Sequence, residues 1–283
     1  MEFSDSYFEE EVRDGFYISS KMKCCWASQL EVLLVVDEIC RKHNIQYFAE
    51  WGTLLGCIRH GGFIPWDDDI DISMPRPDYE TFQRVFSAEM TAVPQYELRT
   101  GMKGNIAIPY IQVVHTGTVT EKKGRREKYA QSVWVDVFPV DGAGYTKEDL
   151  EENYAEYWKN IAETRKIFGR YKPYLNPMKQ IRQFYDHHIR SPQLEKYVKQ
   201  AETCMKKYDY DACEDIFCLA TIYGTKEKNR KEYYEDRIDM EFEGITCKVP
   251  RAYDRKLRDM YGDYRELPPV EKRKGHDFVP YYR

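Results

Sequence analysis

No stretch of this chain approaches the roughly 18 uncharged apolar residues that a membrane-spanning helix needs. The longest apolar run, Val32 to Val36, is closed in by Glu31 and Asp37. The N-terminus, MEFSDSYFEEEVRD, lacks the basic-then-apolar order of a secretory signal. Metal-binding cysteine spacing is also missing. The cysteines stand at 24, 25, 40, 57, 204, 213, 218 and 247, with no CxxC pair and no His-x3-His partner, which argues against a structural zinc site. A bridge between the adjacent Cys24 and Cys25 would be strained, so reduced, mostly buried thiols in a reducing compartment are expected. There is no basic excess either: 43 Lys and Arg stand against 48 Asp and Glu, a net charge of -5, which excludes a protein built to coat nucleic acid. Internal repeats and low-complexity linkers are absent, so no sharp domain split is expected. Together these absences describe a soluble chain in the cytoplasm.

What is present is material for a large core. Of 283 residues, 42% are hydrophobic and 15% aromatic, and the aromatics are read first as packing groups. The expected organisation is α+β: a lead-in arm over 1–25, a core over 26–145, a mainly helical region over 146–230, and a C-terminal hairpin, helix and tail over 231–283, all expected to form one continuous domain. Apolar residues at helical spacing predict a helix from Trp26 to His43, followed by a strand over Ile45–Ala49. A short helix follows from Gly52 to the Gly61-Gly62 pair, and another starts at Asp78 behind Pro75 and Pro77. Strands are expected over 67–72, 96–99, 108–115 and 132–138. Alternating runs on either side of Glu243-Gly244 predict a β-hairpin, and Pro250 opens a last helix that stops near Tyr261-Gly262.

The densest chemical signal is Trp66-Asp67-Asp68-Asp69-Ile70-Asp71-Ile72. In an extended strand alternate residues share a face, so Asp69 and Asp71 point one way and Ile70 and Ile72 the other. Paired carboxylates repel each other and call for a cation, and oxygen-only ligands select a hard ion such as Mg2+ or Mn2+. A solvated acidic loop is the competing reading, but Phe63, Ile64, Trp66, Ile70 and Ile72 make a poor acidic surface. A further acid, Asp136, stands alone inside the apolar run Val133-Trp134-Val135-Asp136-Val137-Phe138, where a buried charge needs a partner. A metal shared by Asp69, Asp71 and Asp136 would supply one. Upstream, Gly52-Thr53 opens a helix after a strand, a place where backbone N–H groups can bind anions.

The order strand, Gly-Thr at a helix start, Asp-x-Asp, then a later Asp resembles the polymerase-β-type nucleotidyltransferase fold. The blocks Tyr47 to Gly56 and Ile58 to Ile72 resemble the LicD family more specifically. So do Met74-Pro75-Arg76 with Asp78-Tyr79, Trp134 to Pro139 with Asp141-Gly142, and Val249-Pro250, Tyr261-Gly262-Asp263 and Pro268-Pro269 near the end. The resemblance runs from about residue 26 to about 270, and 146–230 carries little of it. Trp51 stands where the commonest form of the motif, Gly-Gly-Thr, has its first glycine, and the cysteine cluster of some animal relatives is missing.

The resemblance implies a nucleotidyltransferase-like mixed sheet flanked by helices, and a Mg2+-dependent phosphotransferase. It would move an alcohol phosphate, phosphocholine first, from a CDP-activated donor to a hydroxyl of a cell-surface glycan (teichoic acid, lipopolysaccharide or capsule), releasing CMP. Ribitol and glycerol phosphate are alternatives within the family, which includes the fukutin-type proteins. The partners expected are that donor and a glycan or lipid-linked glycan acceptor, with peripheral contact at the inner face of the membrane and no nucleic acid. Asp69, Asp71 and Asp136 are expected to be the metal-binding and catalytic acids, with Asp136 orienting or deprotonating the acceptor hydroxyl. Gly52 and Thr53 would hold the diphosphate, Arg59 would neutralise developing charge, and Asp67 and Asp68 would orient the loop or lie near the substrate. His60 is read as a solvated helix end, His187-His188 as surface, and the basic run Lys122 to Arg126 as an anion-attracting or merely solvated loop. His276 has no assigned role. Two other classes compete: a metal-dependent glycosyltransferase, which would release a nucleoside diphosphate, and a non-catalytic carbohydrate-binding protein indifferent to Mg2+.

Overall fold

A computed structural model of the chain describes residues 3–101, 107–122, 131–169, 173–274 and 278–282. The expected basic loop at 123–126 and His276 lie outside them. The elements in chain order are β1 (Glu11–Arg13), β2 (Phe16–Ile18), α1 (Ser20–Lys42), β3 (Phe48–Ala49), α2 (Trp51–His60), β4 (Asp71–Pro75), α3 (Arg76–Glu89), β5 (Tyr96–Gly101), β6 (Ile108–Lys122) and β7 (Gln131–Gly142). They continue with α4 (Lys147–Phe168), α5 (Pro177–Phe184), α6 (Leu194–Met205), β8 (Asp215–Phe217), β9 (Asn229–Arg230), β10 (Arg237–Phe242), β11 (Ile245–Pro250), α7 (Tyr253–Tyr261) and β12 (Phe278–Tyr282). The fold is mixed α and β, as the sequence implies.

The chain forms two compact units. Unit 1 comprises 1–98, 112–139 and 229–283, and unit 2 comprises 99–111 and 140–228, which takes in most of the helical region expected over 146–230. In unit 1 the sheet runs β12-β6-β7-β4-β3. This order puts the two acid-bearing strands, β4 and β7, side by side at its centre. The β3–β4 pairing is antiparallel, with Phe48 opposite Ser73 and Ala49 opposite Ile72.

Several boundaries differ from those the pattern predicts, each for a local reason. The stretch read as an irregular arm over 1–25 forms a hairpin, β1 paired antiparallel with β2, and α1 begins at Ser20 rather than Trp26. Ser19 caps it by accepting the Met22 N–H at 3.2 Å, and Cys25 and Trp26 already lie on its buried face. α3 begins at Arg76, two residues before the expected Asp78, with Pro77 in its first turn where a missing N–H costs nothing. β4 begins only at Asp71, so Asp67 to Ile70 precede the strand, yet burial still alternates: Asp68, Ile70 and Ile72 are buried while Asp67, Asp69 and Asp71 are half-buried. The hairpin around Glu243-Gly244 forms as expected, with positive φ at both turn residues, 50° and 78°, the signature of a type I′ turn. All eight cysteines are free thiols.

In unit 2, α4 packs on α6 through Leu150, Tyr157 and Ile161 against Ala201, Cys204 and Met205. α4 starts with a capping box. The Asp149 N–H donates to Thr146 Oγ1 at 3.0 Å, and the Thr146 N–H returns a bond to Asp149 Oδ2 at 3.0 Å. Thr146→Ala removes half of that exchange and is expected to lower stability by about 1 kcal/mol, read by urea unfolding followed through far-UV circular dichroism.

Candidate active site

The acid loop is held by its backbone. From α1, Trp26 Nε1 donates to the Asp67 carbonyl at 2.9 Å and Gln29 Nε2 donates to the Asp68 carbonyl at 2.8 Å. The Trp26 ring stacks on Phe63 with centroids 4.7 Å apart, fixing the loop's approach to α1. The Asp67 N–H donates to the Ile64 carbonyl at 2.8 Å and closes the turn before the acids. With the backbone pinned in this way, the carboxylates of Asp67, Asp68 and Asp69 each bring an oxygen within 4.8 Å of the others. The group takes in Asp67 and Asp68 beside Asp69, whereas the expected partners of Asp69, namely Asp71 and Asp136, are not members of it.

Asp71 and Asp136 join this field from neighbouring strands. The Asp136 N–H donates to the Ile70 carbonyl at 3.1 Å, which locks β7 beside the end of the acid loop. Burial pushes the Asp71 carboxyl well above the usual carboxylate range, reinforced by Asp69, Asp136, Asp67 and Glu50 in that order. Burial likewise pushes Asp136 up to about 7, and Asp69 adds to the effect while hydrogen bonds from Gln112 and Trp134 oppose it. Those bonds run from Gln112 Nε2 to Oδ1 at 2.8 Å and from Trp134 Nε1 to Oδ2 at 2.9 Å, so Asp136 is fixed in orientation.

The helix start sits directly against the acids. A Cβ on Gly52 would run into the Asp67 carboxylate, so glycine here leaves room for that side chain against the start of α2. Thr53 is buried, and its hydroxyl oxygen accepts the Asp71 N–H at 2.9 Å, tying α2 to β4. Trp51, the departure from the family motif, has a φ of 41°, in the left-handed region that suits glycine. Its ring meets Phe138 edge-on at 4.8 Å, an aromatic contact that holds this conformation in place.

Arg59 and His60, at the end of α2, are both held by other parts of the chain. Arg59 Nη1 donates to the carbonyls of Tyr264 at 3.0 Å and Glu266 at 3.3 Å, so its guanidinium anchors the segment after α7. His60, expected to be solvated, is enclosed: its Nδ1 lies 3.0 Å from the Asp14 carboxylate and its ring packs edge-on against Trp66. His187 is half-buried rather than on the surface, whereas His188 is exposed as expected.

Two features behind the site were not read from the sequence. Glu50, the residue before Trp51, is buried: its Oε2 meets Lys256 Nζ at 2.5 Å, and its Oε1 accepts from Ser73 Oγ at 2.6 Å and from the Tyr234 hydroxyl at 2.5 Å. Lys256 is also buried and donates to the same hydroxyl. A Glu before Gly-Thr and a Lys within α7 look like surface residues in a linear pattern; only the fold joins them. The second feature is Glu243, at the hairpin turn. It takes a forked ion pair from Arg13 and accepts the Phe63 N–H at 3.3 Å, while its own N–H donates to the Gly61 carbonyl at 2.9 Å. A Cβ on Gly62 would collide with its carboxylate, which accounts for the second glycine of the pair.

Comparison with known proteins follows the same contours. The family model of the LicD/FKTN/FKRP nucleotidyltransferase domain matches residues 44–194. The chain is 30% identical over 259 residues to the lipopolysaccharide cholinephosphotransferase LicD of Haemophilus influenzae, covering 89% of this chain and 94% of that protein. It is 33% identical over 70 residues to the human ribitol 5-phosphate transferase FKRP, 25% of this chain and 14% of that one. An uncharacterized protein of Rickettsia typhi is 50% identical over 58 residues, 20% of this chain and 19% of its own length.

Two outcomes test this architecture. Lys256→Met leaves Glu50 charged and buried and is expected to cost about 3–5 kcal/mol, with the Glu50→Gln/Lys256→Met double variant costing less; thermal unfolding reads both. Without divalent ions, the folded chain retains protons on Asp71 and Asp136 that the unfolded chain releases above its ordinary carboxylate value of 3.8. Stability therefore falls as pH rises from there through about 7. Asp71→Asn is expected to raise the melting temperature by a few degrees near pH 8 and to change it little near pH 4.

Proposed function

This chain belongs to the LicD family, and from that premise we propose that it transfers an alcohol phosphate, phosphocholine in the first instance, from a CDP-activated donor to a hydroxyl of a cell-surface glycan, releasing CMP. The observation that carries the reading is the set of acids gathered at the start of α2, with Asp71 and Asp136 nearby pushed up by burial and by the Asp69 carboxylate. The H. influenzae relative supports phosphocholine as the alcohol phosphate and a lipid-anchored glycan as acceptor. The FKRP match favours ribitol phosphate as the next donor to try, though over a quarter of the chain. Work at the cytoplasmic face of the membrane fits such an acceptor.

The donor set suits a hard divalent cation. It is all oxygen, crowded, and carries charge that a cation would relieve, which favours Mg2+ or Mn2+. Asp69, Asp71 and Asp136 are the proposed ligands, and of these Asp69 belongs to the close carboxylate group with Asp67 and Asp68. When bound, such an ion neutralises charge on the donor's diphosphate and on the leaving CMP.

The chain's own groups then do the positioning that dominates phosphoryl transfer. Gly52 leaves room for the Asp67 carboxylate at the start of α2, and Thr53 fixes that helix against Asp71. Asp136, oriented by Gln112 and Trp134 and titrating near neutrality, takes the proton of the acceptor hydroxyl at a carboxylate oxygen. The hydroxyl oxygen bonds to the phosphorus bearing the alcohol as the bond to the CMP oxygen breaks, and that oxygen leaves with the electron pair.

A donor panel tests the reading. With Mg2+ present, CMP release is expected from CDP-choline above CDP-ribitol and CDP-glycerol. Heat of binding or turnover with UDP-sugars alone, yielding a nucleoside diphosphate, would move the chain to the glycosyltransferases. Asp71→Asn and Asp136→Asn are each expected to lower CMP release by about a hundredfold or more. Because a bound cation displaces the proton that the free site holds up to about pH 7, apparent Mg2+ affinity is expected to rise from about pH 6 to about pH 8, with proton release measurable by calorimetry in buffers of different ionisation heat.

A further inference from the structure

Within unit 2, the chain between α4 and α6 turns its apolar side outward. α5 buries none of its residues and runs on through a π-helical turn, Tyr185–Ile189. Met178, Ile181, Phe184 and Ile189 stand at intervals of three to five residues and are 73%, 62%, 52% and 58% exposed, and Leu175, just ahead of the helix, is fully exposed. α4 and α6 bury their apolar stripes against each other, as helices in water do. An exposed stripe of this length is more than scattered surface hydrophobes and marks an interaction surface.

The neighbouring groove carries the charge that identifies the partner. It encloses about 610 Å³, and its lining includes Arg165, Lys166, Lys179 and Arg182, with Asp186 as its acidic member. All four cations are exposed. Asp186 is shared between Arg182 at 3.1 Å and the buried Arg190 at 2.8 Å, and Lys166 pairs with Glu163, so the acids in reach are already engaged and the groove stays positive. Long cationic side chains beside an outward apolar stripe are the composition of a helix lying in a bilayer interface, with apolar groups in the acyl boundary and cations at the phosphate level.

We propose that this face of unit 2 docks on an anionic lipid bilayer, with Leu175, Met178, Ile181 and Ile189 entering the interface and Arg165, Lys166, Lys179 and Arg182 meeting lipid phosphates. This deepens the proposed function, since it rests on an acceptor that is anchored in lipid.

Sedimentation of the full chain with vesicles tests it, without donor or turnover. Vesicles with about a third phosphatidylglycerol are expected to carry the chain down, and pure phosphatidylcholine vesicles at least about tenfold less. Binding is expected to weaken as NaCl rises from about 0.1 M to about 0.5 M. Ile181→Asp and Lys179→Glu, both on the exposed surface, are each expected to reduce binding about tenfold or more with an unchanged circular dichroism spectrum. No binding to phosphatidylglycerol vesicles, or binding by both variants at the level of the unaltered chain, overturns the proposal. So does a dimer in solution that Ile181→Asp splits, which would assign the stripe to a second copy of the chain. The two readings fail separately: CMP release from a water-soluble acceptor without vesicle binding removes only the docking face, and vesicle binding without CMP release removes only the transferase.

Discussion

The constraint on which the site depends is the crowding of acids out of water. Asp67, Asp68 and Asp69 lie within one another's reach, and Asp71 and Asp136 are raised by burial and by these neighbours. Left to themselves such groups would repel and the loop would open. The fold opposes this with bonds that do not involve the carboxylates. Trp26 and Gln29 hold the carbonyls of Asp67 and Asp68, Thr53 holds the Asp71 N–H, and the Ile70 carbonyl holds Asp136.

Behind these bonds stand segments distant in sequence. Glu50 is fixed by Lys256 and Tyr234, so the strand entering α2 is tied to the C-terminal helix. Glu243 binds Arg13 and the Gly61-Gly62 turn, joining the N-terminal hairpin to the C-terminal one at the mouth of the acid loop. Arg59 reaches the carbonyls of Tyr264 and Glu266. A family match that stops at residue 194 therefore omits much of what supports the site in this chain.

How much of this was legible follows from the reach of each interaction. Short-range signals read well for the Glu243-Gly244 turn and the α2 stop at Gly61, and local spacing drew attention to the acids at 69, 71 and 136, whereas the carboxylates that gather closest are those of Asp67, Asp68 and Asp69. Asp136 stands out because an acid in an apolar strand needs a reason. Local rules misjudged α1, where Ser19 starts the helix among polar residues whose buried face only packing reveals. They gave the β4 strand too early a start, because Asp67 to Ile70 alternate in burial without a ladder. Glu50, Lys256 and Glu243 were invisible for a different reason. A charge buried by a partner some 200 positions away carries the same letter as one facing water. The motif's odd residue, Trp51, is explained only once its φ and its contact with Phe138 are seen together.

The way the acid loop is suspended has a consequence for how this site can change. Its path is fixed through backbone carbonyls held by an indole and an amide, and Asp67, whose Oδ1 accepts the Asp68 N–H at 3.2 Å, adds a carboxylate to that support. The groups that hold the carbonyls are thus distinct from the acids themselves. Over evolutionary or laboratory time an exchange of the side chain at 69 would leave the bonds to those carbonyls in place, whereas altering Trp26 or Gln29 would remove them.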